Sequence, residues 1–233
     1  MAAAALQFTR EHLRAPLTLA MLLVLPATFV WLAGDVLDQF AKALGGGELG
    51  AGATALGAGW GAAFVCGALG YFQMSSSRDA DRRLALAGFG SGHVATSRLL
   101  AGLALALLVA MSSLAALMLQ TDVAHPWHAA AAIGAFAAVY LALGALVATV
   151  IRDQLSGSLV VAFVFLLDTF SGEGMGNAGG LPTPSRFAGS LLLSAGVGEP
   201  SPGGDWLGAV LTITAAAVVA WPAFGWSARE RGL

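Results

Sequence analysis

The chain has 233 residues, 58% hydrophobic and 10% charged, with a formal net charge of −2 and a mean hydropathy of +0.79. Soluble domains carry about 25% charged residues, so the composition excludes a soluble globular domain and marks an integral membrane protein. The single cysteine, Cys66, excludes an intrachain disulfide and any multi-cysteine metal site, and reads as a small packing residue within a span.

The first residues, MAAAALQFTREHLRAP, lack the basic, apolar and small-residue order of a signal peptide, so the first span is expected to be retained as an anchor. Leu6, Arg10, Leu13 and Arg14 form an amphipathic prospect for the membrane surface. An uncharged run follows at about 16–36, with Pro16 placed for a first helical turn and Pro26 inside the run. Asp35, Asp38 and Lys42 are read as its end. A glycine-rich loop leads to a second run at about 50–74. There Gly57 and Gly61 form a GxxxG pair extended by Ala53, a face for close helix packing against either this chain or a second copy.

Residues 78–93, RDADRRLALAGFGSGH, are the one charge-dense interior segment. As a helix, Asp79 would meet Arg82 and Arg83, and Ala80, Leu84 and Ala87 would form a narrow apolar face. The third run, at about 97–119, is uncharged after Arg98. TDVAHPWH is a turn. The fourth run, at about 127–151, carries small residues Gly134, Ala138 and Ala142 at helical spacing, and Arg152 and Asp153 mark its end. The fifth, at about 154–172, places Asp168 roughly 21 Å along a helix. A carboxylate at a bilayer centre costs about 2.5–3.5 kcal/mol, so Asp168 is expected to face a polar cavity or the outer boundary. The connection 173–205 holds LPTPSRFAGSLLLSA, in which Thr183 is expected to cap a helix starting at Pro184 and ending near Ser194. That helix is too short to cross and reads as re-entrant or interfacial. The sixth run, at about 206–226, precedes Arg229, Glu230 and Arg231.

The layout is thus a single all-α transmembrane domain, 1–233, with six transmembrane helices. With the N-terminus inside, nine of the eleven basic residues fall on the cytoplasmic side and only Lys42 and Arg186 outside. The positive-inside rule therefore places both termini in the cytoplasm. Trp31, Trp127 and Trp206 then lie near the outer boundary, Trp221 and Trp226 near the inner one, and Trp60 well within a span.

Motifs for chemistry are few. There is no GxxxxGK[ST] phosphate loop. GFGSGH brings a serine near a histidine without the geometry of a nucleophile and its base. His125 and His128 flank Pro126 and read as interfacial polar residues rather than metal ligands. No catalytic residue, bound cofactor, metal set or nucleic-acid partner is expected.

Three stretches resemble the ABC-2 family of ATP-binding-cassette transporter membrane subunits. RRLALAGFGSGHVATSRLLAGLALAL is similar to the family's charged cytoplasmic connection before span three. LPTPSRFAGSLLLSA is similar to its leucine-proline-led outer helix, and WPAFGWSARERGL to its aromatic last span and basic tail. The chain departs from the family where a threonine-proline pair is replaced by Gly88-Phe89-Gly90. It departs again where an asparagine-proline pair is replaced by GVGEPSPGG.

The resemblance implies a bacterial inner-membrane exporter of apolar or amphipathic cargo that is not itself an enzyme. Two copies of this subunit, or one with a related subunit, would pair above two separate ATPase subunits that hold ATP and magnesium. Arg78, Asp79, Arg82, Arg83 and Leu84 would form the coupling helix seated on the ATPase. Trp60, Phe64, Phe163 and Asp168 would line the path, and Leu181, Pro182 and Phe187 the outer gate. The competing expectations are an ion-coupled secondary transporter, for which Asp168 is the candidate coupling site, and a membrane scaffold without transport.

Overall fold

A computed structural model describes residues 16–43, 50–76, 91–151, 153–171, 183–198 and 203–229. Every regular element among them is a helix: α1 (Pro16–Ala43), α2 (Ala51–Ser75), α3 (Ser91–Gln120), α4 (Pro126–Val150), α5 (Gln154–Ser171), α6 (Arg186–Val197) and α7 (Gly203–Arg229). Five of them, α1, α2, α3, α4 and α7, are long and apolar enough to cross a membrane, and α5 is a shorter apolar helix. The protein is a multi-span helical membrane protein.

The bundle is built around α2. Of its candidate span, 78% is buried, against 17% for that of α7, and it touches every helix but α7 extensively. Composition explains the position: α2 is rich in glycine and alanine, and small residues let helix backbones approach. A Cβ on Gly144 of α4 would collide with the Gly67 carbonyl of α2, and one on Gly70 with the Leu141 carbonyl of α4. The two helices run parallel with their backbones in contact along this seam. Gly59 opens a slot for the Phe136 ring. The Gly57 and Gly61 face packs on α1, where added Cβ atoms would meet Ala33 and Pro26; its partner lies within the chain. The small residues of α4 at Gly134 play no such part, since a Cβ at Gly134 meets nothing.

Two local features depart from the sequence expectation for α1. The helix continues through Asp35 and Asp38 to Ala43, because nothing in these residues breaks a helix that has left the apolar core. Pro26 is accommodated without the amide N–H that would satisfy the Leu22 carbonyl. The Ser112 hydroxyl of α3 lies 3.4 Å from that carbonyl, and also 2.9 Å from Val109 O, so a neighbouring helix offers the lost donor.

The fifth position of the bundle is filled by two helices end to end. α5 runs antiparallel along the C-terminal half of α2, with Gly157 against Tyr71 and Gly67 against Val161. The Tyr71 hydroxyl donates to Asp153 O at 2.8 Å and ties the start of α5 down. Asp153 caps α5 through its carboxylate, which accepts from Ser156 N at 2.8 Å and from Ser156 Oγ at 2.6 Å.

α6 continues the line along the N-terminal half of α2. Leu192 packs at Gly59, Gly196 sits by Ala51 and Ala55, and the His125 amide donates to Ala195 O at 3.4 Å. Leu191, Leu192 and Ala195 are fully buried. α6 starts level with the middle of α4 and ends beside its first turn, packed against α2, α4 and α7.

The start of α6 corrects the capping expectation. The Arg186 amide donates to Thr183 O at 3.2 Å, closing a turn with Pro184 at its second position, where proline is favoured. The helix therefore begins at Arg186 with Ser185 as its N-cap, Ser185 makes no side-chain cap bond, and Thr183 Oγ1 is buried without a hydrogen-bond partner among the described residues. At the other end, Gly198 takes φ 80° and its amide bonds Ser194 O at 2.9 Å, the left-handed stop that glycine adopts without strain.

Candidate functional site: an apolar groove and a buried carboxylate

A groove of about 840 Å³ opens on the face of α1 and α2. Its walls are Met21, Val24, Leu25, Phe29, Trp60 and Phe64, among others, with Thr28 as the one hydroxyl-bearing side chain among the described residues that line it. Thr28 Oγ1 is turned back onto Val24 O at 2.8 Å, so the surface offered is apolar. Met21, Val24, Leu32 and Val36 are exposed along the rim, and the groove is therefore reached from the side of the bundle. Its volume lies in the range that holds a drug-sized molecule.

Behind the groove the aromatic rings form a continuous row. Phe29 stacks on Phe64 at 5.6 Å between centroids, Phe64 meets Phe165 of α5 edge-on at 5.4 Å, and Phe165 meets Tyr140 of α4 at 6.0 Å. The Tyr140 hydroxyl donates a short hydrogen bond to Asp168 Oδ2. Asp168 is 4% exposed, and its Oδ1 is buried with no hydrogen-bond partner among the described residues. Tyr140 stands near the middle of α4, so the carboxylate lies level with the middle of that helix, enclosed in the bundle. A buried carboxylate oxygen left without a donor costs about 1–3 kcal/mol or more. Tyr140 offsets that for one oxygen only.

The expected path residues are thus divided. Trp60 and Phe64 line the groove. Asp168 is joined to them through the aromatic row. Phe163 is 60% exposed on the surface of α5 and is not part of the groove wall. Of the expected gate, Phe187 packs its ring on Gly208 of α7 and lines a second apolar pocket of about 440 Å³ with Val139, Leu143, Thr183 and Ala216. Leu181 and Pro182 lie outside the described residues, as do the coupling residues Arg78, Asp79, Arg82, Arg83 and Leu84. Arg98, near the start of α3, is buried, and its carbonyl accepts from Gln73 Nε2 at 3.1 Å.

Sequence reading passed over Tyr140 and Phe29. Nothing in local spacing pairs Tyr140 with Asp168, which is 28 positions away; the signal available was a lone tyrosine in an apolar span able to meet a lone acid.

At the end of the bundle shared by α6 and the first turns of α4 and α7, the His125 and His128 rings meet at a tilt, 5.2 Å between centroids, and His128 meets Trp206 edge-on at 5.3 Å. Ser190 Oγ lies 2.8 Å from Asp205 Oδ2. Among the described residues no group of three or more His, Cys, Asp or Glu side chains could hold a metal ion, and the histidines act here as ring contacts between α4 and α7.

Compared with known proteins, the chain matches no family model, and no curated protein matches it.

Proposed function

We propose that this chain is the membrane-spanning subunit of an ATP-driven exporter for apolar or amphipathic cargo, paired with a second membrane subunit and with two separate ATP-binding subunits. The observation that carries the reading is the segregation of two specialised segments to opposite ends of one bundle. A short helix between the fifth and last long elements, α6, is seated at the end where α2, α4 and α7 begin. The end of α2 and the start of α3, which the charged residues 78–90 connect in sequence, lie at the other end. That is the layout implied by the ABC-2 resemblance, with a coupling element inside and a lid outside. In this reading α5 makes a crossing of its own, giving six, and both termini face the cytoplasm of a bacterial cell. Arg82 and Arg83 contact the ATPase, which holds the ATP and magnesium, and the groove at Trp60 and Phe64 receives the cargo.

Physically, such a subunit works by coupling: nucleotide-driven closure beneath the membrane biases one of two helix arrangements, and cargo biases the same pair. The test is co-purification in mild detergent followed by an ATPase assay. A cassette-sized ATPase is expected with the wild-type chain and is expected to be lost from the Arg82→Glu, Arg83→Glu double variant. Retention of the ATPase and of export by that variant would overturn the coupling assignment.

A second reading, a proton- or ion-coupled transporter, is favoured by one observation, the carboxylate of Asp168 deep in the bundle. It requires gradient-driven transport by the chain alone, abolished by Asp168→Asn.

A further inference from the structure

We propose that the cargo class is a lipophilic amine, whose apolar body lies in the α1–α2 groove and whose ammonium group reaches Asp168. The inference deepens the transport reading and rests on it for the meaning of cargo, but the binding it predicts needs no ATPase.

Three observations converge. Asp168 Oδ1 is a buried acceptor with no partner among the described residues, while Oδ2 is held by Tyr140. The carboxylate is thus oriented by one bond with its other oxygen left to accept. The groove is apolar and large enough for a drug-sized body, and it is open to the bilayer side, from which lipophilic molecules arrive. From the groove wall to the carboxylate the rings of Phe29, Phe64, Phe165 and Tyr140 stand in successive contact.

Aromatic faces attract cations as well as apolar groups, so the row is suited to an ammonium that leaves the groove for the carboxylate. Phe165, one helical turn before Asp168 and in contact with both Phe64 and Tyr140, is the ring that must turn aside to admit it. A neutral alcohol of equal size gains the groove and can offer the carboxylate only a hydroxyl hydrogen bond, without the charge. A protonated amine gains both, through a charge-assisted hydrogen bond.

The test uses the full chain in lipid nanodiscs and two probes of one shape, 1-pyrenemethylamine, which is protonated at neutral pH, and 1-pyrenemethanol. Binding is read from energy transfer between tryptophan and pyrene, with empty nanodiscs subtracted and Trp60→Phe used to assign the groove signal. The amine is expected to bind about tenfold to a hundredfold more tightly than the alcohol. Asp168→Asn, which can still accept from Tyr140, is expected to remove that ratio, chiefly by lowering the affinity for the amine. Equal affinity of the two probes, or a ratio that survives Asp168→Asn, would overturn the proposal.

Should that variant fail to fold, carbodiimide labelling of Asp168 in the wild-type chain, read by mass spectrometry, decides the matter, with the tertiary N,N-dimethyl-1-pyrenemethylamine as the amine because a primary amine would itself couple to the activated carboxyl. Protection by the amine and not by the alcohol supports the proposal, and equal labelling with either probe overturns it. Either failure leaves the ATPase co-purification result untouched, so the two readings fall separately.

Discussion

The Tyr140–Asp168 pair is the most consequential contact at the level of single residues. Tyr140→Phe keeps the ring against Phe165 and removes the donor, leaving both carboxylate oxygens buried and unbonded. The expected loss is about 1–3 kcal/mol, measured as a lowered thermal midpoint in detergent, with Asp168→Asn milder than Tyr140→Phe because its amide oxygen still accepts. Asp153 supplies a pH dependence of known sign. The hydroxyl and then the amide of Ser156 hold its carboxyl below the usual carboxylate range. A depressed value in the folded state means the stabilisation is complete above the unfolded value, near 3.9, and fades as pH falls through the folded one. Melting temperatures of wild type and Asp153→Asn are therefore expected to differ at neutral pH and to converge in acid. The sequence made Asp168 conspicuous, as the one acid set well inside an apolar run, but burial and the tyrosine that meets it depend on how α4 and α5 lie together.

Among the helices, the α2–α4 seam shows what spacing alone could and could not reveal. The GxxxG face of α2 was visible as a packing surface, and it does pack, on α1. The closer contact, through Gly67, Gly70 and Gly144, follows no single motif, because it needs glycines on two helices at matching heights. Gly144→Leu is expected to force the backbones apart and cost at least about 1–3 kcal/mol, read as loss of a monodisperse peak on size exclusion. Gly134→Leu, on the open side of the same helix, is expected to leave the peak intact. The short helix after residue 183 was legible from its length and flanking prolines. Its start was misplaced because Pro184 serves the turn before the helix, a choice set by the Thr183–Arg186 hydrogen bond and not by proline's helical preference.

For the molecule as a whole, hydropathy was sufficient to identify a helical membrane protein, and the run boundaries agree with the helices to within about three residues except where α1 outlasts its apolar stretch to Ala43 and α3 begins early, at Ser91, within the segment expected as the charged connection. What hydropathy could not supply was the order of burial, since α2 is the least apolar of the five long candidates and the most enclosed. Orientation can be checked with a membrane-impermeant thiol reagent in a Cys66→Ala background. Lys42→Cys and Arg186→Cys are expected to react in intact cells, and Arg82→Cys only after permeabilisation; the reverse pattern would invert the topology. The enclosure of α2 also bears on how the protein is made. Ribosomes deliver α2 before α3 and α4 exist, yet a glycine-lined helix gains little from lipid tails and depends on those later neighbours for its contacts. Until α4 emerges, the nascent chain has to be sheltered at the insertion machinery, and a polypeptide halted after α2 is expected to be cleared by quality-control proteases rather than to persist in the bilayer.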